Sequence, residues 1–207
     1  MKALFMLIQC SLIILCGCST EPEVQGLPLI IDADTANEVD DLYAIVRAIN
    51  APEFDLRGIT SAQFHTSPLA TDSTVHESQV INEEIIHLMN TPDLTLPLGA
   101  NAPITSTSSP ASSPASDFII EQARKQTTDD PLHIAILGPC TNIATAILEA
   151  PDIIPLVHVH YIGFWHDTTA QVFDLKEFNS GNDTLAVQVL LDTEGLDFDV
   201  MTATTCQ

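Results

Sequence analysis

From residue 27 onward, short apolar runs of strand length alternate with longer stretches whose apolar residues recur at helical spacing. Residues 27–33 (LPLIIDA) are an almost unbroken apolar run, the pattern of a strand buried on both faces. Residues 40–50 place Leu42, Ile45, Val46 and Ile49 on one stripe and predict a helix. A second strand is expected over 54–60. The longest helix is expected over 73–90, opened by a capping box of Thr74 with Glu77. A short strand is expected at 96–98, and the later pattern is regular: helix 117–126, strand 132–137, helix 141–149 and strand 157–162. A last helix spans 183–193 and is closed by Gly195, and 198–202 begins another strand. No internal repeat is visible.

This alternation predicts an α/β fold, a mostly parallel central sheet with helices on both faces, Rossmann-like in class. In such sheets ligands bind beyond the carboxyl ends of the strands. Residues 102–116, rich in Ser, Thr and Pro, read as an exposed loop and not a domain boundary, because the alternation resumes after them.

Charge narrows the partners. The chain carries 28 Asp and Glu against 6 Lys and Arg, a formal net charge of −22, and its cations form no patch. A phosphate backbone is repelled, which excludes nucleic acid as a partner. With 45% hydrophobic residues the chain is not a disordered one. Lys2 precedes an apolar run over 3–15, too short for a bilayer span and suited to a signal-peptide core. The run ends in Leu15-Cys16-Gly17-Cys18, which resembles a bacterial lipobox, although Cys16 is an unusual occupant. The expected division is a leader over 1–17, a linker over 18–26 and one domain over 27–207. Lipidation of Cys18 would hold the protein in the bacterial cell envelope, its lipid anchor being the sole membrane contact. An ordinary signal peptide with incidental cysteines is the alternative. Cys140 and Cys206 are the two cysteines of the body and are expected to be free.

The candidate chemistry lies where the first strand ends. Within "IIDADTANEVDDLYAI", Asp32, Asp34, Glu38, Asp40 and Asp41 fall inside ten residues. Crowded carboxylates repel one another unless a cation sits among them, and oxygen donors without His or Cys favour calcium or magnesium. Helix capping alone accounts for Asp40 and Asp41 but leaves Asp34 unexplained.

The same segment resembles the opening of the nucleoside hydrolase family: a strand, an Asp-x-Asp pair, then a double Asp at the first helix. The gap over 35–39 is two residues longer than usual and resembles a branch that carries Asn-Glu before the final pair, here Asn37-Glu38. "LRGITSAQF", "LHIAILGPCTNIATAI" and "EFNSGNDTLAVQVLL" resemble three further family segments in the family's order, extending the similarity from about Leu29 to the end.

The resemblance implies a nucleoside hydrolase-like sheet and calcium-assisted hydrolysis of the N-glycosidic bond of ribonucleosides, yielding ribose and free base. Matched positions make Asp34 the general base and a metal ligand, Asp41 the second carboxylate ligand and Thr141 a backbone-carbonyl ligand. Asp40 would meet a ribose hydroxyl, and Glu177 and Asn179 would line the sugar pocket. Two positions depart from the pattern: His65 stands near an expected Asn after the second strand, and Gln171 stands where an Asn would precede the Glu. Family members also continue beyond "DVMTATTCQ" and supply another calcium-binding Asp, often beside a His, so the domain is expected to be partial. His158 and His160 alternate along a strand and are expected to be packed or paired. His76, His87 and His133 make no special claim, and His166 is a candidate for contacting a base. Two alternatives stand beside the hydrolase reading. One is a non-catalytic lipoprotein that binds a sugar or nucleoside. The other is a phosphatase of the haloacid dehalogenase type, suggested by Asp32-Ala33-Asp34 but lacking the Thr or Val expected at position 36.

Overall fold

The computed structural model describes residues 26–206. The expected leader, the lipidation site at Cys18 and the linker up to residue 25 lie outside the described residues.

The described chain runs β1 (Leu27–Ala33), α1 (Asp40–Ile49), β2 (Phe54–Ser61), α2 (Thr74–Leu88), α3 (Pro114–Ala123), β3 (Leu132–Ile136) and α4 (Thr141–Glu149). A 3-10 turn (Pro151–Leu156) leads into β4 (Val157–Gly163). A small hairpin of β5 (Trp165–Asp167) and β6 (Val172–Asp174) follows, then α5 (Phe178–Asn182), α6 (Thr184–Asp192) and β7 (Asp197–Thr202). Five strands form one parallel sheet in the order β2-β1-β3-β4-β7. The expected α/β class holds, and the strand order reverses between β1 and β3. That reversal opens a crevice at their carboxyl ends, where two outgoing loops diverge.

Two apolar clusters sandwich the sheet. Ile30, Ile134, Ile136, Val159 and Tyr161 point to one face and pack against Ile119 of α3, Ile143 and Ile147 of α4 and Leu190 of α6. Leu29, Ile31 and Ile59 point to the other, against Ile45 and Ala48 of α1 and Ile85 of α2. Successive residues of β1 therefore enter different clusters, which is why the strand reads as continuous apolar sequence instead of an alternation.

Several local expectations are corrected. The helix expected at 117 begins at Pro114: Ser113 caps it by accepting from the Ser116 backbone N–H, and Pro occupies the first turn, where no N–H is needed. Thr74 does not cap α2. Its buried hydroxyl instead accepts from the Phe64 backbone N–H, and the position before the helix is Ser73. The leucines at 96–98 form no strand, although Ile59 and Ser61 donate backbone hydrogen bonds to Thr95 and Pro97 along that segment.

Buried polar groups tie the layers together at the carboxyl edge. The Asn142 side chain donates to an Asp32 carboxylate oxygen at 2.9 Å and to the Ser61 carbonyl at 3.0 Å, and it accepts from the Ala100 backbone N–H at 3.1 Å. Asp183 caps α6 through the Ala186 N–H and also accepts from the Ile104 N–H and the Thr141 hydroxyl. Each group satisfies partners from elements far apart in sequence, so losing one strands several buried atoms. Asn142→Ala is expected to destabilise the fold by roughly 2–3 kcal/mol, read as a lowered urea midpoint at unchanged slope. A loss under about 0.5 kcal/mol would contradict this bridging role.

Candidate active site

The crevice holds a cleft of about 310 Å³. The β1–α1 connection supplies Asp34, Asn37, Glu38, Asp40 and Asp41. Leu137 enters from the end of β3, Ile162 from β4 and Trp165 from the hairpin, while Glu177, Phe178 and Asn179 close the far wall. Residues more than 130 positions apart in sequence thus meet at one edge of the sheet.

Local chemistry explains the shape. Asp34 is the first residue after β1, so its side chain leaves the sheet at the strand's exit, and it is buried. Gly138 lies against it: a Cβ there would stand 2.5 Å from Asp34 Oδ1, so any larger residue would push the carboxylate aside. Asp40 and Asp41 open α1, where the unpaired N–H groups favour negative charge.

The carboxylates are under-neutralised. Asp32, Asp34 and Asp41 are buried, and one oxygen of each, Oδ2, has no hydrogen-bond partner among the described residues. Burial, followed by repulsion from Asp40 and Glu38, pushes Asp41 up to about 7, against a partial relief from the Asp34 backbone N–H. Burial pushes Asp32 up to about 6 despite hydrogen bonds from Thr60 and Asn142. Asp34 is held well above the usual carboxylate range by burial first and by Asp41 next. Orphaned carboxylate oxygens at one mouth, with no nitrogen or sulfur donor among the cleft's lining side chains except Asn and Trp, fit a hard divalent cation.

Glu177 and Asn179 reach the cleft, but both are already engaged. The Glu177 carboxylate caps α5, accepting from the N–H groups of Asn179, Ser180 and Phe164 and from the Ser180 hydroxyl. The Asn179 amide nitrogen donates to the Leu137 carbonyl at 2.8 Å and to the Ile162 carbonyl at 3.0 Å, pinning the ends of β3 and β4.

Other expected residues lie elsewhere. Thr141 is buried, its hydroxyl directed to Asp183, and it does not line the cleft. His65 is exposed, with its backbone N–H bonded to the Gln63 side chain, and does not line the cleft. Gln171 sits at φ 54° in the hairpin turn, exposed. His166 stacks on Phe173 at 4.3 Å, outside the cleft lining. Leu137 and Trp165 line the cleft without any signal in the sequence, whereas Asp32, counted there among the strand-exit carboxylates, is buried and does not line it.

Comparison with known proteins is consistent with this geometry. The family description "Inosine-uridine preferring nucleoside hydrolase" matches residues 29–207, nearly the whole described chain. The chain belongs to the nucleoside hydrolase family. It is 26% identical over 148 residues to the pyrimidine-specific ribonucleoside hydrolase RihA of Escherichia coli, covering 62% of this chain and 45% of that protein. It is 27% identical over 152 residues to the non-specific ribonucleoside hydrolase RihC of Shigella flexneri, covering 63% and 46%. Among solved structures, the purine-preferring ribonucleoside hydrolase from Gardnerella vaginalis superposes with a TM-score of 0.62 at 22% identity, covering 84% of this chain and 60% of that one. A plant nucleoside hydrolase gives 0.64 at 18%, covering 86% and 60%. This nucleoside hydrolase chain spans about half the length of the curated relatives it matches. Membership favours the hydrolase reading over the phosphatase one.

The carboxylate cluster sets a sign for pH dependence. Asp32 and Asp41 keep their protons to about 6 and about 7 when folded, against 3.8 for an ordinary Asp. With the cation chelated, the folded chain binds more protons than the unfolded chain between about pH 4 and pH 7. The two groups therefore cost nothing below about pH 4, and stability falls as pH rises through 7. Asp41→Asn removes the Asp41 share of that penalty. In chelator at about pH 8 the variant is expected to be more stable than the parent by an amount on the order of a few kcal/mol, and equal to it near pH 4. Urea melts that show no pH-dependent difference would refute the burial of this charge.

Proposed function

We propose that this chain carries sugar- and metal-binding groups of a site that hydrolyses the N-glycosidic bond of ribonucleosides, giving ribose and free base, with calcium as the cation. The observation that carries the proposal is the convergence of Asp34, Asp40 and Asp41 with Asn179 in one cleft, Asp34 and Asp41 being buried and under-paired. The family membership and the ribonucleoside hydrolases among the relatives support it.

Asp34 and Asp41 would hold the ion through their unpartnered Oδ2 atoms, with a backbone carbonyl completing the set. Resemblance points to Thr141 for that carbonyl, whereas the Leu137 carbonyl beside the cleft already accepts from the Asn179 amide. When bound, calcium gathers ribose hydroxyls and a water and makes that water easier to deprotonate. Asp34 would take that water's proton as general base, a role suited to a carboxylate whose proton affinity is raised by burial. Asp40 accepts from a ribose hydroxyl. Asn179, its nitrogen fixed on Leu137 and Ile162, presents a rigid amide to the sugar, and the Glu177 carboxylate holds that segment in place by capping α5. The wall of carboxylates also suits a sugar that becomes cation-like as its bond to the base breaks. A small nucleoside is the partner in this reading. The Leu15-Cys16-Gly17-Cys18 sequence supports a lipid-anchored form in the cell envelope.

The test is ribose release from inosine and uridine by the purified chain with calcium, read by a reducing-sugar assay. Release is expected, and Asp34→Ala should lower it by about 10³-fold or more while leaving the fold intact. The assignment fails if the parent releases no ribose from either nucleoside, or if Asp34→Ala releases it undiminished.

A further inference from the structure

Parallel pairing of β3 with β4 sets His133 directly beside His158, and the two-residue period of β4 turns His160 to the same face. On that face the next strand, β7, places Asp197 beside His158 and Asp199 beside His160. Phe198 and Val200, between and after them, pack into the opposite cluster, so the aspartates face the imidazoles. Three histidines and two aspartates thereby share one patch, on the side of the sheet covered by α1 and α2 over β1 and β2.

The spacing suits an ion. The ligand-capable nitrogens of His133, His158 and His160 all lie within 4.8 Å of one another. His133 Nδ1 is 2.9 Å from His160 Nε2, and His158 Nε2 is 2.8 Å from Asp199 Oδ2. Nitrogens around a tetrahedral zinc at about 2.1 Å stand roughly 3.4 Å apart, so side-chain rotations that part His133 from His160 and draw the farther nitrogen in would seat a metal. Asp197 Oδ2 lies 3.6 Å from His158 Nδ1, just beyond hydrogen-bond length, so a small rotation would let it orient a ligating ring. His133 and His160 also line one end of an apolar groove of about 490 Å³, and the His158 and His160 side chains are 21% and 27% exposed, which leaves an entry path.

We propose that His133, His158 and His160, with Asp199, form a site for a borderline first-row divalent cation such as zinc, separate from the carboxylate cleft. Imidazole donors select zinc and its neighbours over calcium, whereas the all-oxygen mouth at the carboxyl edge does the reverse. The two sites thus differ in the metal they take. Ordinary pairing of the histidines with one another and with Asp199 explains the distances pairwise, but three imidazole nitrogens within 4.8 Å of one another, with Asp199 beside His158, also make a ligand set. The site stands independently of the proposed hydrolysis.

The full chain is titrated with cobalt(II), which reports tetrahedral nitrogen-rich coordination through its visible absorption, and then with zinc. Absorption is expected to saturate at one ion per chain and to be displaced by zinc. His158→Ala and His160→Ala should each weaken binding by about 10-fold or more with unchanged far-ultraviolet circular dichroism. Asp34→Asn should keep the signal. The proposal is overturned by absence of the absorption in the parent, by undiminished binding in both histidine variants, or by its loss in Asp34→Asn.

Discussion

Three carboxylates are buried at the exit of one strand without enough positive charge to balance them. Asp32, Asp34 and Asp41 each keep an oxygen with no partner among the described residues, and burial raises the proton affinity of all three. No cation among the described residues pairs with them: the ion pairs formed by Arg47, Arg57, Arg124 and Lys125 join other acidic groups. The cluster is therefore neutralised by protons or by a bound cation, and everything around it works to hold the groups in place while that choice is made.

The scaffold does this with satisfied polar bridges in place of further charge. Asn142 holds Asp32 to the end of β2, Asp183 ties α4 to α6, and the Glu177 carboxylate fixes the segment that presents Asn179. Gly138 leaves the space that Asp34 fills. Such groups stabilise by completing hydrogen bonds, whereas the under-paired carboxylates cost stability at neutral pH, the trade expected where function and folding compete. The apolar clusters on both faces of the sheet supply the offsetting burial.

Much of this was legible in the sequence because period and position carry it. The unbroken apolar run of β1, the helical stripe of α1 and the Asp-x-Asp at the strand's exit each have a local physical cause, and strand–helix alternation then fixes the edge on which the aspartates fall. What escaped depends on register and tertiary partners. Nothing in "LHIAI" says that His133 will sit beside His158, since pairing between β3 and β4 is not written in either strand. Thr74 looked like a cap because a Glu follows at the right spacing, yet burial gave its hydroxyl another partner. Ser113-Pro114 carried a helix start that the surrounding Ser/Pro-rich composition disguised. The β5–β6 hairpin has three-residue strands with exposed Trp165, Val172 and Phe173, too short for a period to show. Matched motifs placed Asp34, Asp40, Asp41, Glu177 and Asn179 in the cleft but not Thr141 or His65, because a motif fixes sequence position while the loop geometry decides which atom faces the ligand.

The most direct test of this charge imbalance is proton release on adding calcium to the metal-free protein in weak buffer at about pH 6.5. Carboxyls that keep their protons when alone must surrender them to an arriving ion, so about one or more protons are predicted per calcium bound. Calcium that binds without releasing protons, or that does not bind, would contradict the account.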